Sequence, residues 1–171
     1  MGLPFIPVPG LAGSDIMRMR PDFRTLTNPY DPAETVVVVP ALVPDVAVFH
    51  ADRADRYGNV LTDPHETNRI LAQAAEITIV TAEEIVAGPL RGPEPGFTFV
   101  PGLYVTAVVE APLGSHPAGC GRRYGVDAAH LREYARLART EAGFAEYLER
   151  YVMVPAETYR TQAVAGIGRG R

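Results

Sequence analysis

The feature that most constrains this chain is a set of short β-branched runs separated by stretches with helical periodicity. "TVVVVP" at 35–40, "DVAVFH" at 45–50, "ITIV" at 77–80 and "LYVTAVVE" at 103–110 are rich in valine and isoleucine. A continuous apolar run such as "TVVVVP" predicts a strand buried on both faces, as in a parallel sheet. In "TDPHETNRILAQAAE", Asp63 stands as a helix N-cap, Pro64 suits the first turn and Glu66 completes a capping box. Ile70, Leu71, Ala74 and Ala75 then form one apolar stripe. "TAEEIVAG" repeats this logic, with Thr81 as cap, Glu84 three residues on and Gly88 as the stop. "DAAHLREYARLA" predicts an amphipathic helix capped by Asp127 and stapled by Val126 and Leu131. A last helical region runs from about 140 to 153, where Pro155 ends it. This alternation predicts an α/β fold: an open, largely parallel sheet with flanking helices. Ligands in such folds bind beyond the carboxyl ends of strands, which selects the loops after Phe49 and after Val109.

The 171 residues suffice for one domain. At 47% hydrophobic and 21% charged, the composition is that of an ordinary globular protein. Residues 1–34 show no regular period, yet carry Leu3, Phe5, Ile6, Val8 and Leu11. They are expected to be a loop-rich segment that packs on a missing part or a partner, not a disordered tail. Residues 161–171, ending "GIGRGR", are expected to fray. A net charge of −4 gives no nucleic-acid surface. All 16 basic residues are arginine, which rules out a lysine Schiff base on this chain. The lone Cys120 excludes an internal disulfide and a cysteine-based zinc site. Without a signal peptide or an apolar run of about 20 residues, no membrane role and a cytoplasmic location are expected.

Three loops carry candidate chemistry. In "HADRADRYGNV" at 50–60, Asp52 and Asp55 are expected to form surface ion pairs with Arg53 and Arg56 in a solvated turn. The alternative is that Arg53 or Arg56 holds a phosphate or carboxylate. Gly58 and Asn59 can bring backbone N–H groups or an amide to a ligand, or simply form a turn. In "GSHPAGCG", His116 can act as a base or an oxyanion donor, or can brace the loop. With no second ligand at a suitable spacing, no metal is expected there. Cys120 has no identifiable base and reads as a bystander thiol. "GLAGSD" holds Ser14 and Asp15 among small residues but lacks the lysine and spacing of a P-loop. Glu83 and Glu84 are accounted for by the expected cap. Residue types and spacing alone fix no reaction.

Taken in order, "GLPFIPVPGLAGSD", "TNPY", "VVVVPALVPDVAVFHADRADRYGNV", "AAEITIVTAEEIV", "PGLYVTAVVEAPLGSHP" and "YGVDAAHLREY" span almost the whole chain. They resemble the A (alpha) subunit of family I CoA-transferases, in particular the branch typified by the A-type subunit of glutaconate CoA-transferase. "ADRYGNV" at 54–60 is similar to the "GDRWGNL"-like loop of 3-oxoacid CoA-transferase alpha subunits. The match is to the back part of such a subunit; the Gly-Gly-Phe type motif of the family's front part is not in this sequence.

The resemblance implies an open α/β sheet shared with ribose-5-phosphate isomerase-like proteins. It implies coenzyme A as substrate, no tightly bound cofactor, and a B-type partner subunit. The family's glutamate nucleophile lies on that B subunit, in a Ser-Glu-Asn-Gly type motif that this sequence lacks. This chain would therefore contribute binding loops and be inactive alone. The implied binding residues are Gly58, Asn59, Gly114, Ser115 and His116, then Ser14, Asp15 and Arg53. A related branch hydrolyses ring-bearing CoA thioesters in steroid breakdown, and its "GLPF" and "GGAHP"-like segments are similar to residues 2–5 and 113–117. A non-catalytic assembly subunit is the third reading.

Overall fold

The computed structural model describes residues 2–167. The chain divides into two compact units, Met1–Pro44 and Asp45–Arg171.

The first unit contains β1 (Phe5–Val8), a single helical turn α1 (Ile16–Met19), β2 (Arg24–Asn28) and β3 (Asp31–Pro40). The strands form an antiparallel sheet of order β1-β3-β2. The valine run is thus the centre of an antiparallel sheet, and only Val37 in it is buried. The expectation of a strand covered on both faces does not hold. Two strands and a helical turn also occupy the stretch expected to be loop-rich. Pro7 masks β1 in the sequence, and it is tolerated because β1 is an edge strand.

The second unit runs β4 (Val46–Ala51), β5 (Arg53–Asp55), β6 (Val60–Thr62), α2 (Asn68–Ala74), β7 (Ile77–Ala82), β8 (Ile85–Val86), β9 (Thr98–Val100) and β10 (Ala107–Glu110). It continues with α3 (Ala128–Leu137), α4 (Glu141–Tyr147), a π-helical turn at Leu148–Val152, and α5 (Ala156–Ile167). The fold is α/β, with an open parallel sheet of order β10-β7-β4 and flanking helices. A second, four-stranded sheet of order β8-β5-β6-β9 lies in the crossovers. Phe49, Ala51, Val80 and Ala82 of the parallel sheet pack with Ala54, Val60, Ala72 and Val100 of the crossover segments to form the core.

Two helix expectations are corrected. The first helix expected from the sequence, α2, begins at Asn68 behind Thr67, not at Asp63. The Asp63 carboxylate instead accepts the His65 N–H at 2.8 Å, closing a local turn that uses up the cap. Asn68 and Ala72 face inward, while Ile70 of the expected stripe is 66% exposed. "TAEEIVAG" is not a helix but the end of β7, a bend, and β8. Its backbone bonds run sideways: Glu83 N–H donates to Ala51 O and Ala54 N–H donates to Glu84 O, both at 3.0 Å. The cap at Asp127 is present, its carboxylate accepting from Ala129 and His130 N–H. Val126 and Leu131, the expected staple, are both exposed. Pro155 ends one helical region and opens the next, since a proline suits a first turn. Residues 161–167, expected to fray, therefore lie in α5, while 168–171 fall outside the described residues. No helix among the described residues is long and apolar enough to cross a membrane.

Leu61 is fully buried in β6, whereas Leu103 is 78% exposed. Leu61→Ala is expected to cost about 2–5 kcal/mol of unfolding free energy. Leu103→Ala is expected to change it by less than about 0.5 kcal/mol. Urea denaturation followed by circular dichroism checks both values.

Candidate functional site

The carboxyl ends of β4, β7 and β10 meet around one carboxylate. Glu83 follows β7 directly, and its side chain is 4% exposed. Glu83 Oε1 lies 2.7 Å from His50 Nε2 and also accepts from the Tyr124 hydroxyl. Its Oε2 accepts the Leu113 N–H at 2.8 Å. Since a carboxylate only accepts, His50 Nε2–H donates to Glu83, and Nδ1 lies 2.8 Å from the Thr81 hydroxyl. Both ring nitrogens of His50 are thereby committed. The Tyr124 hydroxyl, whose pKa is pushed up by burial and by Glu83, also receives the Ser115 N–H at 3.1 Å. A Cβ at Gly114 would lie 2.7 Å from His50 Cε1 and 2.8 Å from Ala111 O, so only glycine fits beside the ring.

His50, Asp52, Glu66, Phe97, Ser115 and Cys120 line a cleft of about 320 Å³ at this end of the sheet. Burial pushes the Cys120 thiol up to about 11, so it is protonated at neutral pH and a poor nucleophile.

The Asp-Arg stretch is not a solvated turn. Asp52 is 8% exposed and accepts from Arg53 Nε at 2.9 Å and Arg123 Nε at 2.7 Å. Burial pushes its carboxyl upwards, but the two guanidinium groups together outweigh that and hold it below the usual range. Arg123 also reaches Glu84 at 2.9 Å and Arg53 reaches Glu94 at 2.8 Å, with the Arg53 guanidinium 5.4 Å from the centre of the Phe97 ring. Arg53 is thus held by two carboxylates. Asp55 is 1% exposed and accepts from the backbone N–H groups of Tyr57, Asn59 and Leu90 and from the Asn59 side chain. Two alternating acids that look solvent-facing in the sequence are the buried anchors of the loop.

Asn59 spends its amide inside the loop, with Nδ2 on Asp55 and Oδ1 accepting Gly102 N–H at 3.0 Å. Gly58 has φ +82°, a left-handed conformation that favours glycine. This turn borders a second depression with Arg56, Ile85 and Val105, apart from the His50 cleft. Ser115 lines the cleft, and Gly114 packs against the His50 ring that borders it. His116 is buried behind it, with Nδ1 2.7 Å from the Tyr159 hydroxyl and Nε2 3.3 Å from Asp127 Oδ2. These contacts tie the 113–117 loop to α3 and α5. Ser14 bonds Leu11 O at 2.7 Å, and Asp15 pairs with Arg18 on the surface of the first unit.

Side-chain donors of His50, Glu83 and Cys120, and of His116, Asp127 and His130, come within 4.8 Å of one another. The sequence shows no second ligand at a suitable spacing from His116, but folding brings Asp127 and His130 to it. In both groups ring nitrogens are engaged with protein hydroxyls or carboxylates: those of His50 and His116 as described, and His130 Nε2 2.9 Å from the Tyr147 hydroxyl. Sequence reasoning missed the roles of His50, Thr81, Glu83 and Tyr124. The available signal was position, because His50 and Glu83 stand at the ends of two predicted parallel strands.

Residues 11–111 match the family model described as Coenzyme A transferase. The A-type subunit of the glutaconate CoA-transferase of Acidaminococcus fermentans is 34% identical, over 89% of this chain and 52% of its own length. The crystal structure of that glutaconate CoA-transferase superposes with a TM-score of 0.80 at 30% identity, covering 97% of this chain and 58% of the other. The cholesterol ring-cleaving hydrolase IpdA subunit of Mycobacterium tuberculosis is 32% identical, over 99% of this chain and 61% of its own. The crystal structure of a decarboxylase AibA/AibB variant is similar at 40% identity and TM-score 0.74, covering 86% of this chain and 53% of that one. The chain thus spans about half the length of the curated relatives it matches.

Glu83→Ala removes the acceptor of the Tyr124 hydroxyl and the Leu113 N–H. Each orphaned buried donor costs about 1–3 kcal/mol, so this variant is expected to lose more stability than Tyr124→Phe, as chemical denaturation will read. A second prediction concerns His130, whose imidazole is held below its ordinary range by burial and then by His116, against the pull of Asp127 and Glu133. The unfolded chain then takes up this proton first, so stability is full above about pH 6.5 and falls as pH drops towards the folded-state value. The melting temperature is expected to be lower at pH 5 than at pH 7.5, with a smaller difference in His130→Gln.

Proposed function

The chain belongs to the coenzyme A transferase family, and we propose that it works as an A-type subunit of an enzyme that moves CoA between an acyl-CoA and a carboxylic acid. The observation that supports this most is a cleft lined by the carboxyl end of β4 and by the loop that follows β10, where this fold class binds ligands. His50 and Ser115 border that cleft, and the glycine-rich loop 113–121 forms much of its wall. Gly114, Ser115 and His116 shape the acyl-CoA pocket from this side. The turn at Gly58 and Asn59 and the Arg53 cluster hold the loop between β4 and β6, and Ser14 and Asp15 are weaker candidates in the first unit.

The nucleophile lies on a B-type partner subunit. There, a glutamate carboxylate attacks the thioester and expels CoA thiolate, leaving an acyl anhydride. The thiolate attacks the glutamyl carbonyl and releases the first acid, and the resulting glutamyl-CoA thioester passes CoA to the second acid. Each tetrahedral step builds charge on oxygen, which oriented N–H donors stabilise. Glu83 is unsuited to the attack. Its two oxygens already take three donors, and its side chain is nearly closed to solvent. It acts instead as the post that fixes His50 and the 113–117 loop. Such a protein works in the cytoplasm, with coenzyme A as its diffusible substrate.

The 32% identity to the IpdA subunit, over 99% of this chain, supports a second reading, hydrolysis of a ring-bearing acyl-CoA. The test is reconstitution with a B-type subunit, with glutaconate and other carboxylates as acceptors. Transfer that requires an acceptor is expected, with little turnover by either chain alone. His116→Ala and Asn59→Ala are expected to lower kcat/KM at least tenfold. Turnover without any acceptor decides for the hydrolase, binding of a B-type subunit without any turnover decides for a non-catalytic assembly subunit, and failure to bind any B-type subunit leaves an orphan. Wild-type kinetics from both variants would remove these two loops from the site.

A further inference from the structure

Three donor groups that lie far apart in the sequence come together at the cleft. Strand register places His50 of β4 beside Thr81 of β7, and Glu83 follows just past the end of β7. The His50 ring and the Glu83 carboxylate thereby meet at 2.7 Å. The third group arrives on a tight turn. Cys120 N–H donates to Tyr124 O at 3.0 Å and Arg123 N–H donates to Cys120 O at 2.9 Å, with Gly121 at φ +47°. The Tyr124 hydroxyl donates to Glu83, so the turn that carries the Cys120 thiol is fastened to the carboxylate. One donor atom each from His50, Glu83 and Cys120 lies within 4.8 Å of the other two. His50 and Cys120 line the cleft, and Glu83 is closed to solvent.

We propose that His50, Glu83 and Cys120 bind one zinc ion, with its fourth position open to the cleft. A lone cysteine rules out a multi-cysteine site but not this mixed one. A nitrogen, an oxygen and a sulfur donor suit zinc, whereas magnesium and calcium take oxygen ligands. Tetrahedral zinc holds its ligand atoms at about 2.0–2.3 Å, which sets them about 3.2–3.8 Å from one another. The cluster reaches that geometry with small movements: the His50–Glu83 pair opens by about 0.5 Å, and a donor at the outer limit closes by about 1 Å. Protons and charge balance. His50 Nε2 gives up its hydrogen and the ring keeps one on Nδ1, where the Thr81 oxygen 2.8 Å away accepts it. A zinc-bound imidazole needs such an outer partner. Cys120 loses its proton to solvent and binds as the thiolate. One carboxylate and one thiolate then neutralise the dication in a place where an unmatched charge is costly. Besides burial, the charges of Glu83, Asp52 and Glu66 push the Cys120 thiol up and Arg123 opposes them, a field that favours a cation at the sulfur. No step of the CoA transfer proposed above passes through the ion. It fixes the 120–124 turn to the ends of β4 and β7, and with them the cleft wall.

The test titrates the full chain, stripped with EDTA, with zinc by calorimetry and with cobalt(II) by absorption. A single equivalent is expected to bind. Cobalt is expected to give the visible bands of a tetrahedral site and a thiolate charge-transfer band in the near ultraviolet. Cys120→Ser is expected to abolish that band, and Thr81→Val to keep it while weakening zinc binding about tenfold. Both substitutions nearly conserve shape, and circular dichroism is expected to match the parent. Zinc is expected to raise the melting temperature of the parent by several degrees but not that of Cys120→Ser, since a ligand held only by the folded chain stabilises it. His65→Ala, on the same cleft, and His130→Gln, in the other histidine cluster, are expected to bind zinc like the parent. Zinc binding unchanged by Cys120→Ser overturns the proposal. So does loss of binding in His65→Ala or His130→Gln, a cobalt complex without the thiolate band, or no binding at all.

Discussion

The Glu83 carboxylate, closed off from water, takes the His50 ring and the Tyr124 hydroxyl on one oxygen and the Leu113 amide on the other. Those three donors come from β4, from the 113–117 loop and from the segment before α3. A buried charge is tolerable only when its lone pairs are filled, so these partners cannot drift independently. The loop between β4 and β6 depends on a similar device, with Asp52 held between Arg53 and Arg123 and Asp55 closed over four N–H donors. Acids placed just past strand ends thus organise both loops that the strand-end rule selects.

This arrangement gives the chain a positioning role. Its cleft has a histidine with both nitrogens engaged, a protonated thiol and a carboxylate saturated with donors. None of the three is free to attack a thioester. What the chain offers is shape: Gly114 packed on His50, glycines along the cleft wall, and amide groups fixed by Glu83 and Tyr124. On the proposed function, the covalent chemistry comes from a group on another subunit.

The sequence made the parallel sheet legible because "DVAVF", "ITIV" and "TAVVE" have no competing helical reading. The loops after β4 and β10 followed from fold class alone. Other elements were hidden for identifiable reasons. Pro7 disguised an edge strand. Asp63 formed a local turn instead of a cap. The "TAEE" segment carried a capping box that lost to sideways pairing with Ala51 and Ala54, where tertiary context overrode a local signal. Asp52 and Asp55 looked solvated because their partners, Arg123 and Leu90, lie 71 and 35 residues away. His116 looked alone because Asp127, His130 and Tyr159 reach it only through α3 and α5. Side-chain clusters built across such separations leave no spacing pattern to read.

The placement of the nucleophile off this chain is tested most directly by intact-mass spectrometry of the assembly of this chain with a B-type subunit, quenched during turnover of an acyl-CoA. The expected spectrum shows the mass of bound CoA, less water, added to the B-type subunit, and this chain unmodified. A CoA or acyl adduct on Glu83, or on any other carboxylate of this chain, would contradict it.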